Sequence, residues 1–373
     1  MSVTVVNGDC RQRLAELPAE SVHCIVTSPP YFGLRDYGTA QWEGGDPDCD
    51  HLPKVASRES RPSSGLTGGK ATVDAGTVLR GRCHCGARRV DNQIGLEATP
   101  DAFVAELVAV FRECRRVLRA DGTLWLNLGD SYNAQGAGNK TPSGFSQTRP
   151  SRRTGDGNQE TVKTGRGLVD GLKPKDLLGV PWMVAFALRA DGWWLRQDII
   201  WSKPNPMPES VTDRCTKSHE YLFLLSKSAT YHYDADAVKE AATEATNERD
   251  KYKRTGYAKE TRDGYVNHLD PSREFIDCGG QRNRRSVWTV ATQPFSEAHF
   301  ATFPPDLIEP CIKAGCPPQG TVLDPFGGAG TTGLVADRLG RNAILIELNP
   351  AYAEMARNRI NGDAGMFAEV AVA

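Results

Sequence analysis

The chain has 373 residues, enough for one large α/β domain carrying insertions or for two modest domains. With 39% hydrophobic residues it holds no run near the ~20 consecutive apolar residues of a spanning helix. The first residues lack the basic and apolar regions of a secretory leader, so a cytoplasmic protein with no membrane partner is expected. A net charge of −1 excludes little, because phosphate contacts need a local basic surface rather than a basic total.

In chain order, the pattern predicts a strand at Val3–Asn7, a helix from Cys10 to Leu17 and a strand at Val22–Thr27 that stops at a double proline. Residues 38–92 turn Gly-, Ser-, Arg- and Asp-rich, the composition of an insertion. A helix returns with Thr99 placed to cap it and Pro100 to open it. Phe103, Leu107, Val110, Phe111, Cys114 and Leu118 follow at helical spacing. Asp121-Gly122 closes that segment ahead of a buried strand over Thr123–Leu128.

Residues 131–172 carry no apolar period and read as a mobile loop. A helix at Pro181–Ala190 precedes strands at Trp194–Trp201 and His219–Ser226, and residues 234–285 are again charged and weakly patterned. The last part predicts a helix near Pro305–Ala314, a strand at Thr321–Leu323, a glycine loop and a helix to Leu339. A strand at Ala343–Glu347 and a helix at Pro350–Ile360 follow. Strands alternating with helices imply an open, doubly wound, mostly parallel α/β sheet, Rossmann-like, with polar insertions.

The glycine loop runs Asp324-Pro325-Phe326-Gly327-Gly328-Ala329-Gly330-Thr331-Thr332-Gly333 between a strand and a helix. Glycines serve where backbone turns tightly and approaches a ligand, and Glu347 at the end of the next strand suits ribose hydroxyls. Gly328, Gly330 and Gly333 also spell a dinucleotide fingerprint, with an acid about 20 residues on. Two features oppose that reading. A carboxylate at the strand end suits a ligand carrying positive charge, such as an ammonium, and suits a pyrophosphate poorly. Only one helix is predicted after Glu347, so the rest of the sheet is expected from the N-terminal half. That makes this strand pair last in sequence and central in space.

Ser28-Pro29-Pro30-Tyr31 sits at the carboxyl end of a strand, where open α/β sheets place their ligands. The prolines remove two donors, leaving carbonyls and the Ser28 hydroxyl to accept hydrogens from an exocyclic base amine. Tyr31 offers a face for an extruded base. Cytosine-C5 chemistry needs a cysteine nucleophile. The Pro310-Cys311 pair falls on a predicted helix away from this turn, where Cys311 is expected to be a buried small hydrophobe.

The Ser-Pro-Pro-Tyr turn near the start and the Asp324 loop near the end together resemble the DNA amino-methyltransferases, in the circularly permuted order with the catalytic motif first. The likeness extends to Asn7-Gly8-Asp9-Cys10, to the stretch Ile199–Pro206 and to His299–Pro305, and Tyr31–Gly38 looks like phage and prophage members. It implies S-adenosylmethionine as cofactor and double-stranded DNA as partner. It also implies Ser28, Pro29, Pro30 and Tyr31 as the catalytic turn, an adenine contact at Asp9 and a ribose contact at Glu347. The methionine end would fall to Asp324 and the Phe303-Pro304 region, with Pro325, Phe326, Gly327, Gly328, Gly330, Thr331 and Asn349 completing the site. A serine before Pro-Pro-Tyr is commoner in cytosine-N4 members of that family, so cytosine N4 is expected and adenine N6 is the alternative. A further alternative is a non-catalytic DNA-binding protein on the same fold.

Residues 1–37 and 93–233 are then the catalytic half, 38–92 an insertion, 234–290 the target-recognition region and 291–373 the cofactor half. The basic residues Lys251, Lys253, Arg254, Arg282, Arg284 and Arg285 are expected to meet DNA, with the 131–172 loop, which carries Arg149, Arg152 and Arg153, closing on it. Cys49, His51, Cys83 and Cys85 bracket the polar insertion as three thiols and an imidazole, a set that fits structural zinc, with His84 as the alternative nitrogen ligand in place of His51. No separate nuclease domain is visible in the pattern. Oligomeric state leaves no trace in it.

Overall fold

The computed structural model describes residues 1–33, 37, 39–49, 83, 85–133, 169, 171–243, 280–293, 295, 302–363 and 369–372. Its centre is a nine-stranded sheet in the order β10-β6-β7-β5-β2-β11-β12-β1-β13. These strands are β1 (Ser2–Asn7), β2 (Val22–Thr27), β5 (Leu118–Leu128), β6 (Trp194–Ser202), β7 (His219–Ser226), β10 (Val287–Thr289), β11 (Thr321–Asp324), β12 (Asn342–Glu347) and β13 (Glu369–Val372). From β5 through β2, β11, β12 and β1 to β13 every pairing is parallel, whereas β7 runs antiparallel to both β5 and β6. Short hairpins pair β3 (Gln41–Glu43) with β4 (Arg88–Val90) and β8 (Glu240–Ala241) with β9 (Gln281–Arg282).

A parallel sheet needs both faces covered, and the sequence supplies both. Along β2, Val22 and Ile25 enter one core while Cys24 and Val26 enter the other. Helices α1 (Cys10–Glu16), α2 (Pro100–Val117) and α3 (Val180–Ala190) cover the first face through Leu14, Phe103, Leu107, Val184 and Leu188. Helices α4 (Pro305–Gly315), α5 (Thr331–Arg338) and α6 (Pro350–Asp363) cover the second through Leu307, Ile308, Leu334 and Ile360. Helix α2 starts as its sequence dictates: the Thr99 hydroxyl accepts from the Ala102 amide at 3.2 Å, and Pro100 takes the first helical position.

The predicted strands and helices are present, with two corrections. Strand β5 begins at Leu118, because Asp121-Gly122 is absorbed as the irregular start of the strand beside β2 rather than ending the helix. The sheet is also completed downstream: β13 pairs with β1 beyond the last helix, so not every remaining strand comes from the N-terminal half. The region from 234 also contributes to the sheet. Its β10 pairs with β6, and Trp288 and Val290 are buried in the shared core. The central position of β11 and β12 holds, with β2 on one side and β1 on the other. Among the described residues, no helix is long and apolar enough to cross a membrane.

Candidate active site

Four neighbouring parallel strands deliver their carboxyl ends to one place. Strand β2 ends in Thr27 and the Ser28 turn, β11 in Asp324 and the glycine loop, β12 in Glu347, and β1 in Asn7 before Gly8-Asp9. A cavity of about 500 Å³ opens there, within the range usual for a ligand site. Ser28, Pro29, Pro30 and Tyr31 line it together with Asp9, Phe303, Asp324, Pro325, Phe326, Gly327, Gly328, Thr331 and Glu347. Two motifs almost three hundred residues apart therefore share one chamber.

The two motifs are fastened to each other by a buried carboxylate. Asp324 is 1% exposed. It accepts from the Thr27 hydroxyl at 2.6 Å, from the Thr332 hydroxyl at 2.6 Å and from the Phe326 amide at 3.0 Å. Burial raises its carboxyl to about 6, against the pull of these donors. Asp324 thus ties the end of β2, the loop and the first turn of α5, a role in loop geometry that adds to the ammonium contact expected from sequence.

At the other end of the loop, Glu347 accepts from the Gly328 amide and from the Asn349 amide, each at 2.8 Å. Burial raises its carboxyl to about 7 despite those bonds, and the nearby Asp324 charge adds to the rise. Tyr37 and Tyr352 border this end of the cavity, their rings edge to face with centroids 6.5 Å apart. Asp9 lines the cavity, yet its carboxylate already caps α1 at the Arg11 amide and pairs with the Arg11 guanidinium at 2.6 Å.

Three predicted cofactor residues do not line the cavity and serve the scaffold. Pro304 precedes α4 as its cap. Gly330 starts α5 in the left-handed region, at φ 77°. Asn349 caps α6 at the Ala351 amide and donates to the Tyr37 carbonyl at 3.1 Å, holding an aromatic wall in place.

At the Ser28 end, the Tyr31 hydroxyl donates to Glu220 Oε2 at 2.6 Å and lies 3.2 Å from Asn127 Oδ1. Burial first, then the Glu220 charge, raises the phenol well above its usual range, so it stays a protonated donor. Lys203 Nζ pairs with Glu220 Oε1 and sits 4.2 Å from the centroid of the Trp201 ring. Lys217 donates to the Asp130 carbonyl at 2.7 Å, and it lines the cavity beside His219 and Glu220. None of Asn127, Lys203, Lys217 or Glu220 was singled out as a site residue by sequence. The nearest signal was the Ile199–Pro206 stretch, which contains Lys203.

Other sequence candidates are distributed differently. Cys49, Cys83 and Cys85 converge, their sulfurs all within 4.8 Å of one another. The amides of Ala87 and Asp46, with the neighbouring thiols, hold Cys85 down at about 6. Arg282 pairs with Glu240 at 2.8 Å, Arg284 stacks over Trp288 at 4.5 Å, and Arg285 is exposed. His51, His84, Lys251, Lys253, Arg254 and most of the 131–172 loop lie outside the described residues. Cys311 is fully buried on α4, as a small hydrophobe should be.

A parallel α/β sheet with an acid-and-glycine loop facing a rigid Pro-Pro turn defines the class: a group-transfer enzyme of the methyltransferase fold. The fold matches the solved PvuII DNA methyltransferase (cytosine-N4-specific) at a TM-score of 0.52. That match has 15% identity and covers 97% of this chain and 92% of the other. The DNA methylase family of N6 and N4 methyltransferases matches residues 22–358. The Type II methyltransferase M.Cfr9I of Citrobacter freundii is 40% identical over 370 residues, covering 99% of this chain and 91% of its own. M.SmaI of Serratia marcescens, also a Type II methyltransferase, is 39% identical over 360 residues, covering 96% and 91%. The chain belongs to the N6/N4 DNA methylase family and is a DNA methyltransferase.

The seat of Tyr31 depends on a missing side chain. A Cβ at Gly129 would lie 2.5 Å from Tyr31 Cε2, closer than packed atoms tolerate. Gly129→Ala should displace the ring and cost about 1–3 kcal/mol by overpacking. Chemical denaturation and a structure of the variant check this; an unmoved ring with unchanged stability would contradict it.

Proposed function

We propose that this enzyme transfers the methyl group of S-adenosylmethionine to the exocyclic N4 amine of a cytosine flipped out of double-stranded DNA. The observation that carries the reading is the shared cavity, with the Ser28 turn and the Glu347 loop opening into it from the ends of nearby strands. The Phe326–Gly328 backbone and Glu347 would hold the nucleoside part, with Glu347 accepting from the ribose hydroxyls, and Tyr37 and Tyr352 would flank the adenine.

Ser28 and a proline carbonyl would accept the amine hydrogens, turning the nitrogen lone pair toward the sulfonium. The bound cofactor would supply an electrophilic methyl group for in-line transfer to that nitrogen, the carbon–sulfur electrons passing to sulfur and the amine's displaced proton passing to water. Positioning and electrostatics supply the rate, without a covalent enzyme intermediate. The Tyr31 ring provides the stacking face for the flipped base. Its hydroxyl is already held by Glu220 and Asn127, so the ring is set before DNA arrives. Target recognition is assigned to residues 234–290, where Arg284 and Arg285 neighbour the sheet edge at β10, together with Lys251, Lys253 and Arg254. The enzyme would act as a modification methyltransferase in the cytoplasm of a bacterial or phage-infected host cell.

The Glu347 carboxyl near 7 makes cofactor binding pH-dependent, with a definite sign. The ionised form accepts two hydroxyl hydrogens and the protonated form does not, so affinity should rise with pH. Between pH 6 and pH 8 titration calorimetry should find S-adenosylmethionine binding roughly tenfold tighter at the higher value. In Glu347→Gln that gain should vanish, and an identical slope in the variant would remove Glu347 from the ribose.

The target base is tested by treating DNA with enzyme and labelled cofactor, then resolving the nucleosides by mass spectrometry. Label in N4-methylcytosine is expected. Label in N6-methyladenine would overturn the cytosine assignment while leaving the cofactor and the turn in their roles. Bound cofactor with no label on any DNA would favour a silent DNA-binding protein.

A further inference from the structure

Beyond the transfer site, the described residues contain a second cluster of reactive side chains, at the tip of the β3–β4 hairpin. Cys49 follows β3 on a turn closed by its amide donating to the Asp46 carbonyl at 3.1 Å. Cys83 and Cys85 precede β4 on a facing turn, where the Gly86 amide donates to the Cys83 carbonyl at 3.0 Å. Cys49 Sγ and Cys83 Sγ are 3.6 Å apart, and all three sulfurs lie within 4.8 Å of one another.

We infer that Cys49, Cys83 and Cys85 are three ligands of a structural zinc ion that joins the turn after β3 to the turn before β4. Zinc–thiolate bonds of about 2.3 Å at tetrahedral angles put sulfurs about 3.8 Å apart, close to the Cys49–Cys83 separation. A disulfide would use two of these sulfurs and give no reason for the third to converge on them. Gly45 lets its turn close over the sulfurs, since a Cβ there would lie 2.8 Å from Cys85 Sγ. Three thiolates leave one tetrahedral position for a further donor; His51 and His84 adjoin these cysteines in sequence and lie outside the described residues.

The clip has mechanical work to do. Two strands of three residues are too little sheet to hold themselves together in water. Yet the chain at the base of this hairpin forms a wall of the cofactor cavity through Tyr37, Thr39 and Gln93. Thr39 donates to Asp91 at 2.9 Å, and the Tyr37 amide donates to Gln93 at 2.7 Å, so both ends of the insertion are pinned together at the cavity rim. Closing the far end with a metal restricts the hairpin and keeps that rim in position.

The test uses the full chain purified without chelator. Elemental analysis should find about one zinc ion per chain, and exchange with cobalt(II) should give the intense thiolate-to-metal charge-transfer band of a tetrahedral sulfur site. Cys83→Ser should lose the metal, and His51→Ala and His84→Ala should separate the fourth ligand. Stripping zinc from the wild type should leave the bulk circular dichroism intact while weakening cofactor affinity several-fold, restored on zinc addition. The wild-type metal content and cobalt spectrum decide the matter even where a cysteine variant fails to fold. A metal-free protein overturns the proposal, whether its three thiols titrate as free or Cys49 and Cys83 are found as a disulfide. None of these outcomes bears on which base is methylated.

Discussion

The active site depends on one buried carboxylate. Asp324 stands where β11 ends, and its oxygens are taken by Thr27 on the neighbouring β2, by Thr332 in the first turn of α5 and by the Phe326 amide. Removing a carboxylate from water is costly unless hydrogen bonds replace its hydration, and these donors do so. The raised carboxyl near 6 is the residue of that cost. What the arrangement secures is register: the end of the strand that carries Ser28 cannot shift along β11 without breaking a short bond inside the core.

The rest of the chamber is arranged around that fixed joint. On one side the loop folds back so that the Gly328 amide reaches Glu347, which presents a carboxylate at the cavity edge. On the other, Lys203 just past the end of β6 and Glu220 on the antiparallel β7 meet beside Tyr31, so an ion pair and a phenol hydrogen bond hold the ring. The parallel half of the sheet thus supplies the cofactor end. The antiparallel half supplies the support for Tyr31, and the two halves meet between β5 and β7, one strand from the Ser28 turn.

Much of this was legible in the sequence, for identifiable reasons. The apolar runs of β2, β11 and β12 and the capped stripe of α2 are strong periodic signals, and the Pro-Pro turn and glycine loop carry their own backbone logic. The support of Tyr31 was not legible, because Glu220 is a single polar residue in β7, Lys203 follows the end of β6, and nothing local marks them as partners. Their meeting is set by the β6–β7 register, which pairs Trp201 with Glu220 and Ser202 with His219. Asp324 was found but given the ligand alone, since only the fold brings Thr27 within 2.6 Å. The edge strands β10 and β13 were missed because three or four residues hold too little pattern to stand out. The thiol cluster was visible as spacing, and the short β3–β4 hairpin that brings it together was not.

The most direct test of the register claim is a double-mutant cycle on Thr27→Val and Asp324→Asn, read by single-turnover methylation with saturating cofactor. If the Thr27–Asp324 bond holds the base turn against the cofactor loop, each change alone should slow transfer. The double variant should then be little slower than the worse single one, because both remove the same joint. Rate losses that simply multiply would contradict the account, leaving Asp324 and Thr27 to act independently at separate parts of the site.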